Sequence, residues 1–377
     1  MIYFSRHIAA PMELAYTQSA LESGATSGDG QFTRRAANIL SDLHGGAKAL
    51  LTTSCTHALE LAALLLELGP EDEVVLPSFT FSSTANAFAL RGCKLRFADV
   101  DAETFSMELP QVRAALTSGT RAVVTVAYGG VLRDWDAIVA LCQERKIDLI
   151  EDNAHGIFAK HRGRPLGTYG RVSALSFHAT KNISCGEGGA LILNDSELLH
   201  KAEILREKGT DRSRFLRGEV DKYTWRGVGS SYLPSDILAA VLTAQLEHSI
   251  VIQERRAAVW NVYRSELEPQ ASRLGITLQR VTEDTEHPSH VFAVLLPAAA
   301  NRAELLRALV RADVIAVSHY EPLHLAPAHV GRGEALPITE QIARRLIRLP
   351  LHAGMLPEDA HRAVQVFVQE LERLCTN

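Results

Sequence analysis

Between residues 47 and 191 the chain alternates short apolar runs with longer stretches of helical periodicity. Residues 47–51, 73–76, 94–100, 121–128, 147–152 and 172–177 are Val-, Ile- and Leu-containing runs bounded by turn residues, the pattern of buried strands. The intervening segments predict helices over 58–68, from the 77–81 turn through Leu90, and over 109–116 and 134–145. Strands alternating with helices in this way form a parallel sheet with right-handed crossovers, covered on both faces. The expected fold class is therefore α/β, with a doubly wound, mostly parallel sheet.

Upstream of this block, helices are expected over 13–21 and 32–43, separated by the Gly/Ser-rich loop 23–30. A loop of that composition either lines a ligand mouth or simply connects. Downstream, helices are expected over 197–208, 236–246 and 253–267, the last linking two units. From about Pro269 the rhythm changes to strands at 290–296 and 314–317, a helix at 302–310 and a final amphipathic helix at 357–374. This divides the chain into a large unit, residues 1–246, and a smaller C-terminal α+β unit, residues 247–377.

Composition narrows the function. With 46% hydrophobic and 22% charged residues, the 377-residue chain has an ordinary globular balance. A formal charge of −5 argues against a nucleic-acid surface, so any anionic ligand must be held by local donors. No run approaches a membrane span, and the opening MIYFSRHIAAPMEL has no signal-peptide pattern. Five scattered cysteines without metal spacing suit reduced thiols, so a cytoplasmic location is expected. No dinucleotide, P-loop or H-E-x-x-H zinc fingerprint occurs, and no metal is expected.

Candidate chemistry collects where this reading puts the carboxyl ends of strands, at 52–57, 78–81, 152–155 and 176–181. Lys181 follows an apolar strand in a loop of small polar residues. Burial there would depress its pKa and leave a neutral amine nucleophile. Most lysines are simply solvated, so the residue gains its weight from Asp152, an acid ending another buried strand. An acid, a strand-end serine (Ser176) and a lysine are what pyridoxal phosphate requires. The acid keeps the pyridine nitrogen protonated, and the lysine carries the cofactor as an imine. The turn containing Cys55 and Thr56 opens a helix, which makes it either an anion site for the phosphate or an ordinary N-cap. Phe81 either lies on an aromatic cofactor or belongs to the core. His155 either reaches the ring hydroxyl or is structural. His178 is placed to transfer protons beside the lysine. Gly186, Gly188 and Gly189 permit positive φ or close backbone approach.

The ordered set SCTHALELA, LPSFTFSSTANAF, EDNAHG, LSFHATKN with GEGGA, and SDILAAVLTAQL resembles the DegT/DnrJ/EryC1/StrS sugar aminotransferases over nearly the whole chain. That resemblance implies a fold type I pyridoxal 5′-phosphate enzyme acting on a nucleotide-linked keto-sugar, with L-glutamate as amino donor. It implies that Lys181 is the imine-forming residue and proton shuttle, that Asp152 pairs with the pyridine nitrogen, and that Phe81 stacks on the ring. Cys55, Thr56 and Ser176 would hold the phosphate, with His155 near the ring hydroxyl. Active sites in this family lie at the interface of a two-fold homodimer, where an asparagine of a G-x-N-x-R pattern reaches across. Here Gly229-Ser-Ser231-Tyr-Leu233 puts Ser231 at that position. SGDGQFTRR, LREKGTDRSRFLRGEVDKYTWR and GSSYLPSD resemble the branch aminating C4 of dTDP-4-keto-6-deoxyglucose. The motifs leave open amination at C3, the gluco epimer, and a non-catalytic regulatory role. They do not identify the nucleotide grip, for which the candidates are residues 28–35, 212–217 and 319–324.

Overall fold

The computed structural model describes residues 1–329 and 335–375. The main sheet has seven strands: β1 (Lys48–Thr52), β2 (Glu73–Pro77), β3 (Lys94–Ala98), β4 (Thr120–Val126), β5 (Asp148–Asp152), β6 (Val172–Ser176) and β7 (Gly189–Leu193). Their spatial order is β1-β7-β6-β5-β4-β2-β3. The pairs among β3, β2, β4, β5 and β6 are parallel, whereas β7 runs antiparallel to both β6 and β1. The sheet is thus mixed. Its one reversed strand follows β6 through the loop that carries Lys181, with no crossover helix between them. Because β1 regains the common direction, the carboxyl ends of β1, β2, β5 and β6 share an edge with the start of β7.

Helices α1 (Glu13–Glu22), α2 (Gln31–Leu43), α3 (Cys55–Leu65) and α4 (Ser82–Ala89) are followed by α5 (Asp236–Glu247) and α6 (Ser249–Leu267). On one face of the sheet α3 buries Ala58, Leu59, Leu61, Ala62, Ala63 and Leu65 against β6 and β7. On the other, α2 and α5 pack Phe32, Ala36, Leu40, Ala239 and Ala240 against Leu51, Leu175 and Ile192. Each fully buried Leu or Phe here contributes about 1.5–3 kcal/mol. Asp236, itself buried, ties the two helices together. Its carboxylate accepts from the N–H groups of Phe32 and Thr33 at 3.2 and 2.7 Å and from the Thr33 hydroxyl at 2.7 Å, capping α2 from another element.

A second sheet is antiparallel throughout: β8 (Thr277–Leu278), β9 (Phe292–Leu295), β10 (Val317–Ser318) and β11 (Leu346–Leu349), in the order β8-β9-β11-β10. Helices α7 (Pro337–Arg345) and α8 (Pro357–Cys375) accompany it. Helix α6 joins the two cores, with Ile252 in the first and Val259, Tyr263 and Leu267 in the second. The second core also takes Ile2, whose backbone bridges to Val314.

Several expected elements shift. The strand expected over 314–317 is instead an isolated Val314 bridge followed by β10, and the 197–208 helix opens with a 3₁₀ turn at Ser196–Leu198. Strand β11 and a three-stranded ribbon of Lys160–His161, Arg164–Pro165 and Thr285–Glu286 are four residues or fewer and too short for periodicity to mark, and helix α7, which buries Thr339, Ile342 and Ala343 on one face, was not expected. No helix among the described residues is long and apolar enough to cross a membrane.

Candidate active site

At the shared strand-end edge lies a cavity of about 440 Å³, closed on its far side by the second sheet. Cys55, Thr56, Phe81, Asp152, His155, Ser176 and Lys181 all line it. The sequence therefore named seven residues that the fold brings to one place from four strand ends.

One end is built for an anion. Ser54 caps α3, its hydroxyl accepting the His57 N–H at 3.1 Å, and Cys55 and Thr56 open the first turn. The positive end of the helix and its free N–H groups thus face the cavity. The Thr56 hydroxyl lies 2.8 Å from that of Ser83, and Ser176 ends β6 beside them. The turn sits this close only because position 189 is glycine. A Cβ there would lie 2.3 Å from the carbonyl carbon of Ser54 and 2.4 Å from the nitrogen of Cys55. Gly186 meets the other demand, with φ of +86°. Burial and the nearby Asp152 charge hold the Cys55 thiol well above its usual pKa, opposed by Lys181, so this cysteine is a neutral wall.

Asp152, buried at the end of β5, has both oxygens fixed. Thr84 donates its hydroxyl to Oδ2 at 2.6 Å, and the Ala154 N–H donates to Oδ1 at 3.2 Å. Thr84 is held in turn by Thr80, hydroxyl to hydroxyl at 2.8 Å. Burial raises the Asp152 pKa, while Thr84, Ala154 and Lys181 pull it back toward the ionised form. Glu151, the adjacent acid, accepts N–H groups from Gly167, Tyr169 and Gly170 at 2.6–2.7 Å, so it serves the backbone and not the cavity.

Lys181 follows β6. Burial lowers its pKa to about 8, offset in part by Cys55 and Asp152 and reinforced by Arg348. Roughly a tenth of the amine is therefore neutral at pH 7, far more than for a solvated lysine, as a nucleophilic amine requires. Phe81 is 60% exposed while its neighbour Phe79 is 1% exposed, which settles which of the two phenylalanines belongs to the core. The Phe81 ring is free to cover a flat ligand. His155 is buried and neutral, its pKa pushed well down by burial and by Lys181 and Arg348. Its Nε2 lies 3.2 Å from the Tyr320 hydroxyl and its Nδ1 accepts from the Gly129 N–H at 3.3 Å. His178 stands at the mouth, its Nδ1 3.0 Å from the Thr180 hydroxyl and its ring 3.6 Å from Glu187.

Ser231 is not with the others. It is exposed, outside this cavity, and its backbone bridges to Glu207. Of the nucleotide-grip candidates, Arg212, Arg214 and Arg217 are engaged by Glu207, Glu219 and Glu203, and Arg206 and Arg212 hold Asp29. His324 is buried against the Ser78 hydroxyl at 2.7 Å, whereas His319 faces the cavity. The sequence reading missed Thr84, His290 and Arg348, and it reached Thr80 and Tyr320 only as members of the 78–81 and 319–324 stretches. Thr84 had a signal, as a hydroxyl one turn into the helix after Phe81. So did Arg348, a lone charge inside the apolar run Leu346-Ile-Arg-Leu349.

A fixed acid, an amine with depressed pKa and a helix N-terminus around one cavity fit pyridoxal phosphate in all three of its binding requirements. The family model for DegT/DnrJ/EryC1/StrS aminotransferases matches residues 8–368. The chain belongs to this family. Its members depend on pyridoxal 5′-phosphate. The chain is 31% identical over 373 residues to the spore coat polysaccharide biosynthesis protein SpsC of Bacillus subtilis, covering 96% of this chain and 95% of that one. Among solved structures, the aminotransferase TlmJ from Streptoalloteichus hindustanus is 29% identical with a TM-score of 0.91, covering 99% and 100% of the two chains. A putative sugar aminotransferase, Spr1654 from Streptococcus pneumoniae in its PMP form, is 25% identical with a TM-score of 0.91, covering 100% and 98%. The α/β architecture is that of these aminotransferases.

Proposed function

We propose that this aminotransferase moves the amino group of L-glutamate to C4 of dTDP-4-dehydro-6-deoxy-D-glucose, giving dTDP-4-amino-4,6-dideoxy-D-galactose and 2-oxoglutarate. The observation that carries the transaminase reading is the joint placement of Lys181 and a pre-oriented Asp152 on one buried cavity. The sugar substrate is supported by the motifs over 27–35, 205–226 and 229–236, and by the polysaccharide and sugar roles in the names of SpsC and Spr1654.

Bound pyridoxal phosphate supplies the carbonyl carbon that accepts the amino group and the ring that withdraws electrons. Asp152, whose ionised form Thr84 and Ala154 favour against the effect of burial, would keep the ring nitrogen protonated. The α3 N-terminus, Thr56 and Ser176 would hold the phosphate, and Phe81 would cover one face of the ring. Lys181 Nζ would take the proton from the amino-bearing carbon of glutamate and deliver one to C4 of the sugar. The two substrates use the same cavity in turn.

The proposal includes a two-fold homodimer in the cytoplasm, with Ser231 serving the partner's site. Trp225 and Val228, close in sequence to Ser231, are 75% and 72% exposed, a surface that suits burial against a second copy. Two measurements test the reading. The Lys181→Ala variant should lose the borohydride-reducible visible band and turnover together, and full turnover without Lys181 would end the proposal. Mass and NMR analysis of the product from dTDP-4-keto-6-deoxyglucose should show a galacto amine at C4. A gluco product, or no product from this substrate with turnover of a 3-keto-sugar instead, would overturn the substrate assignment.

A further inference from the structure

Two of the three histidines on the cavity wall have tautomers fixed by partners that can act in only one way. Asn182, the residue after Lys181, is buried, and its Nδ2 donates to the Pro288 carbonyl at 2.7 Å and to Gln253 Oε1 at 2.8 Å. A carbonyl can only accept, so the amide is oriented and Oδ1 is the atom that meets His290 Nδ1 at 2.8 Å. His290 Nδ1 therefore carries the proton. Burial, with His155, Lys181, Arg256 and Arg348 nearby, keeps the ring from taking a second one. The Nε2 of this buried ring is left as a bare acceptor on the cavity that Lys181 lines, with no partner among the described residues. The backbone beneath it is held by Arg256, which donates to the carbonyls of Ser289 at 3.0 Å and His290 at 2.7 Å. His155 resolves the opposite way. The Gly129 N–H can only donate, so Nδ1 is bare there and the Nε2 proton goes to the Tyr320 hydroxyl, which leaves neither nitrogen free. His319 Nδ1 meets the Tyr128 hydroxyl at 3.1 Å, a group that donates or accepts and so fixes nothing.

We propose that His290 is a positioning residue for Lys181, its bare Nε2 accepting one N–H of the amine whenever that amine is free. This rests on the transaminase reading and adds to it how the lysine is aimed. Lys181 has no hydrogen-bond partner among the described residues. Cys55 and Asp152 from the main sheet and Arg348 from the second act on it through charge, and the neighbouring histidines are neutral through burial. A flexible four-carbon stem without a tether leaves Nζ free to turn. Proton transfer instead requires the nitrogen within hydrogen-bond reach of one carbon, with its lone pair directed there. An acceptor on a fixed ring holds one N–H and leaves the lone pair to face the substrate. Because Asn182 follows Lys181 directly, the loop that carries the amine also sets the tautomer of its acceptor.

Nitrogen NMR of the full-length apoprotein with labelled histidine reads both the tautomer and the contact. The His290 signals are identified by their loss in His290→Gln, or by their displacement in Asn182→Leu if the Gln variant does not fold. Wild type should show a protonated Nδ1 and an unprotonated Nε2. Lys181→Met should move the Nε2 signal toward that of a nitrogen without a hydrogen bond and leave Nδ1 in place. A protonated Nε2 overturns the assignment, as does an Nε2 signal that ignores Lys181→Met, the result a merely structural histidine would give. The holoenzyme supplies the second readout, mixed with L-glutamate in the absence of keto-sugar and followed through its visible band. His290→Leu should lower the limiting rate roughly 10- to 100-fold and leave the half-saturating glutamate within about threefold, whereas His290→Gln keeps an acceptor and should lose less than about tenfold. A limiting rate in His290→Leu equal to wild type overturns the positioning role alone. If no amino acid alters the wild-type band, the transaminase reading falls, while the NMR result still reports whether His290 and Lys181 meet.

Discussion

Thr84→Val removes one hydroxyl and keeps the shape of the side chain, which makes it a direct test of how Asp152 is kept ready. The Thr84 hydroxyl donates to Asp152 Oδ2 at 2.6 Å, a short bond to a buried carboxylate. Such charge-assisted bonds contribute about 1.5–3 kcal/mol. Among the described residues, the Ala154 N–H at 3.2 Å is then the sole fixed donor to this group, with Lys181 acting only through its charge. Burial already raises the Asp152 pKa and Thr84 lowers it, so the substitution raises it further. The sign follows. The ionised fraction of Asp152 falls at the acid end of the range, the ring nitrogen loses its partner there first, and little changes at high pH. At about 1.4 kcal/mol per decade, cofactor affinity should drop roughly 10- to 100-fold, most at low pH. The acid limb of kcat/KM should move upward. Equilibrium titration of the apoprotein with pyridoxal phosphate across pH, followed by absorbance, reads the first effect. Steady-state rates read the second. An affinity equal to wild type at every pH, with an unmoved acid limb, would refute the claim that Thr84 sets the state of Asp152.

Three further outcomes follow from the geometry. Gly189→Ala places a methyl 2.3 Å from the Ser54 backbone, so it should displace the α3 turn, cost about 1–3 kcal/mol in urea unfolding and weaken cofactor binding. Asp236→Ala strands the Phe32 and Thr33 N–H groups and the Thr33 hydroxyl, and should destabilise the apoprotein by about 2–4 kcal/mol with little effect on the visible band of the folded fraction. Lys181 has a pKa of about 8 when folded against 10.5 for a solvated lysine, so the unfolded chain holds its proton over that interval and the native protein does not. Apoprotein stability should therefore gain on the order of 2 kcal/mol as pH rises from about 8 to 10.5, relative to a Lys181→Met variant measured in parallel.

The half of the cavity built from strand ends was legible because its residues occupy positions that any wound sheet exposes. Once the strands of the 47–191 block are placed, Cys55, Phe81, Asp152 and Ser176 must come to one edge, and residue type identifies what they can do there. The reversal of β7 was less visible. A buried antiparallel strand has the same apolar run as a parallel one, and only the missing crossover helix between Ser176 and Gly189 marks it. The second sheet was legible only in part. Strand β9 falls inside the run expected over 290–296 and β10 begins where the 314–317 run ends, whereas β8 has two residues and β11 is broken by Arg348. Glu151 and Asp152 illustrate a further gap. They are adjacent and of like type, and the choice between them depends on the 167–170 loop, whose N–H groups claim Glu151.

The division of labour between the sheets also explains why the cavity is rich in histidine yet poor in charge. His155, His290 and His319 lie close together, ring centres 4.5 Å apart for the first pair and 6.1 Å for the first and third. Three protonated rings at that spacing beside Lys181 and Arg348 would repel one another and would raise the cost of leaving Lys181 charged. Burial depresses all three, so they contribute polar atoms and flat surfaces without adding charge. The charge-bearing side chains on the wall are then few: Asp152 and Lys181 from the main sheet, Arg348 from the second, and Glu187 beside His178. With the histidines neutral, the depression of the Lys181 pKa is a matter of burial first and of Arg348 second.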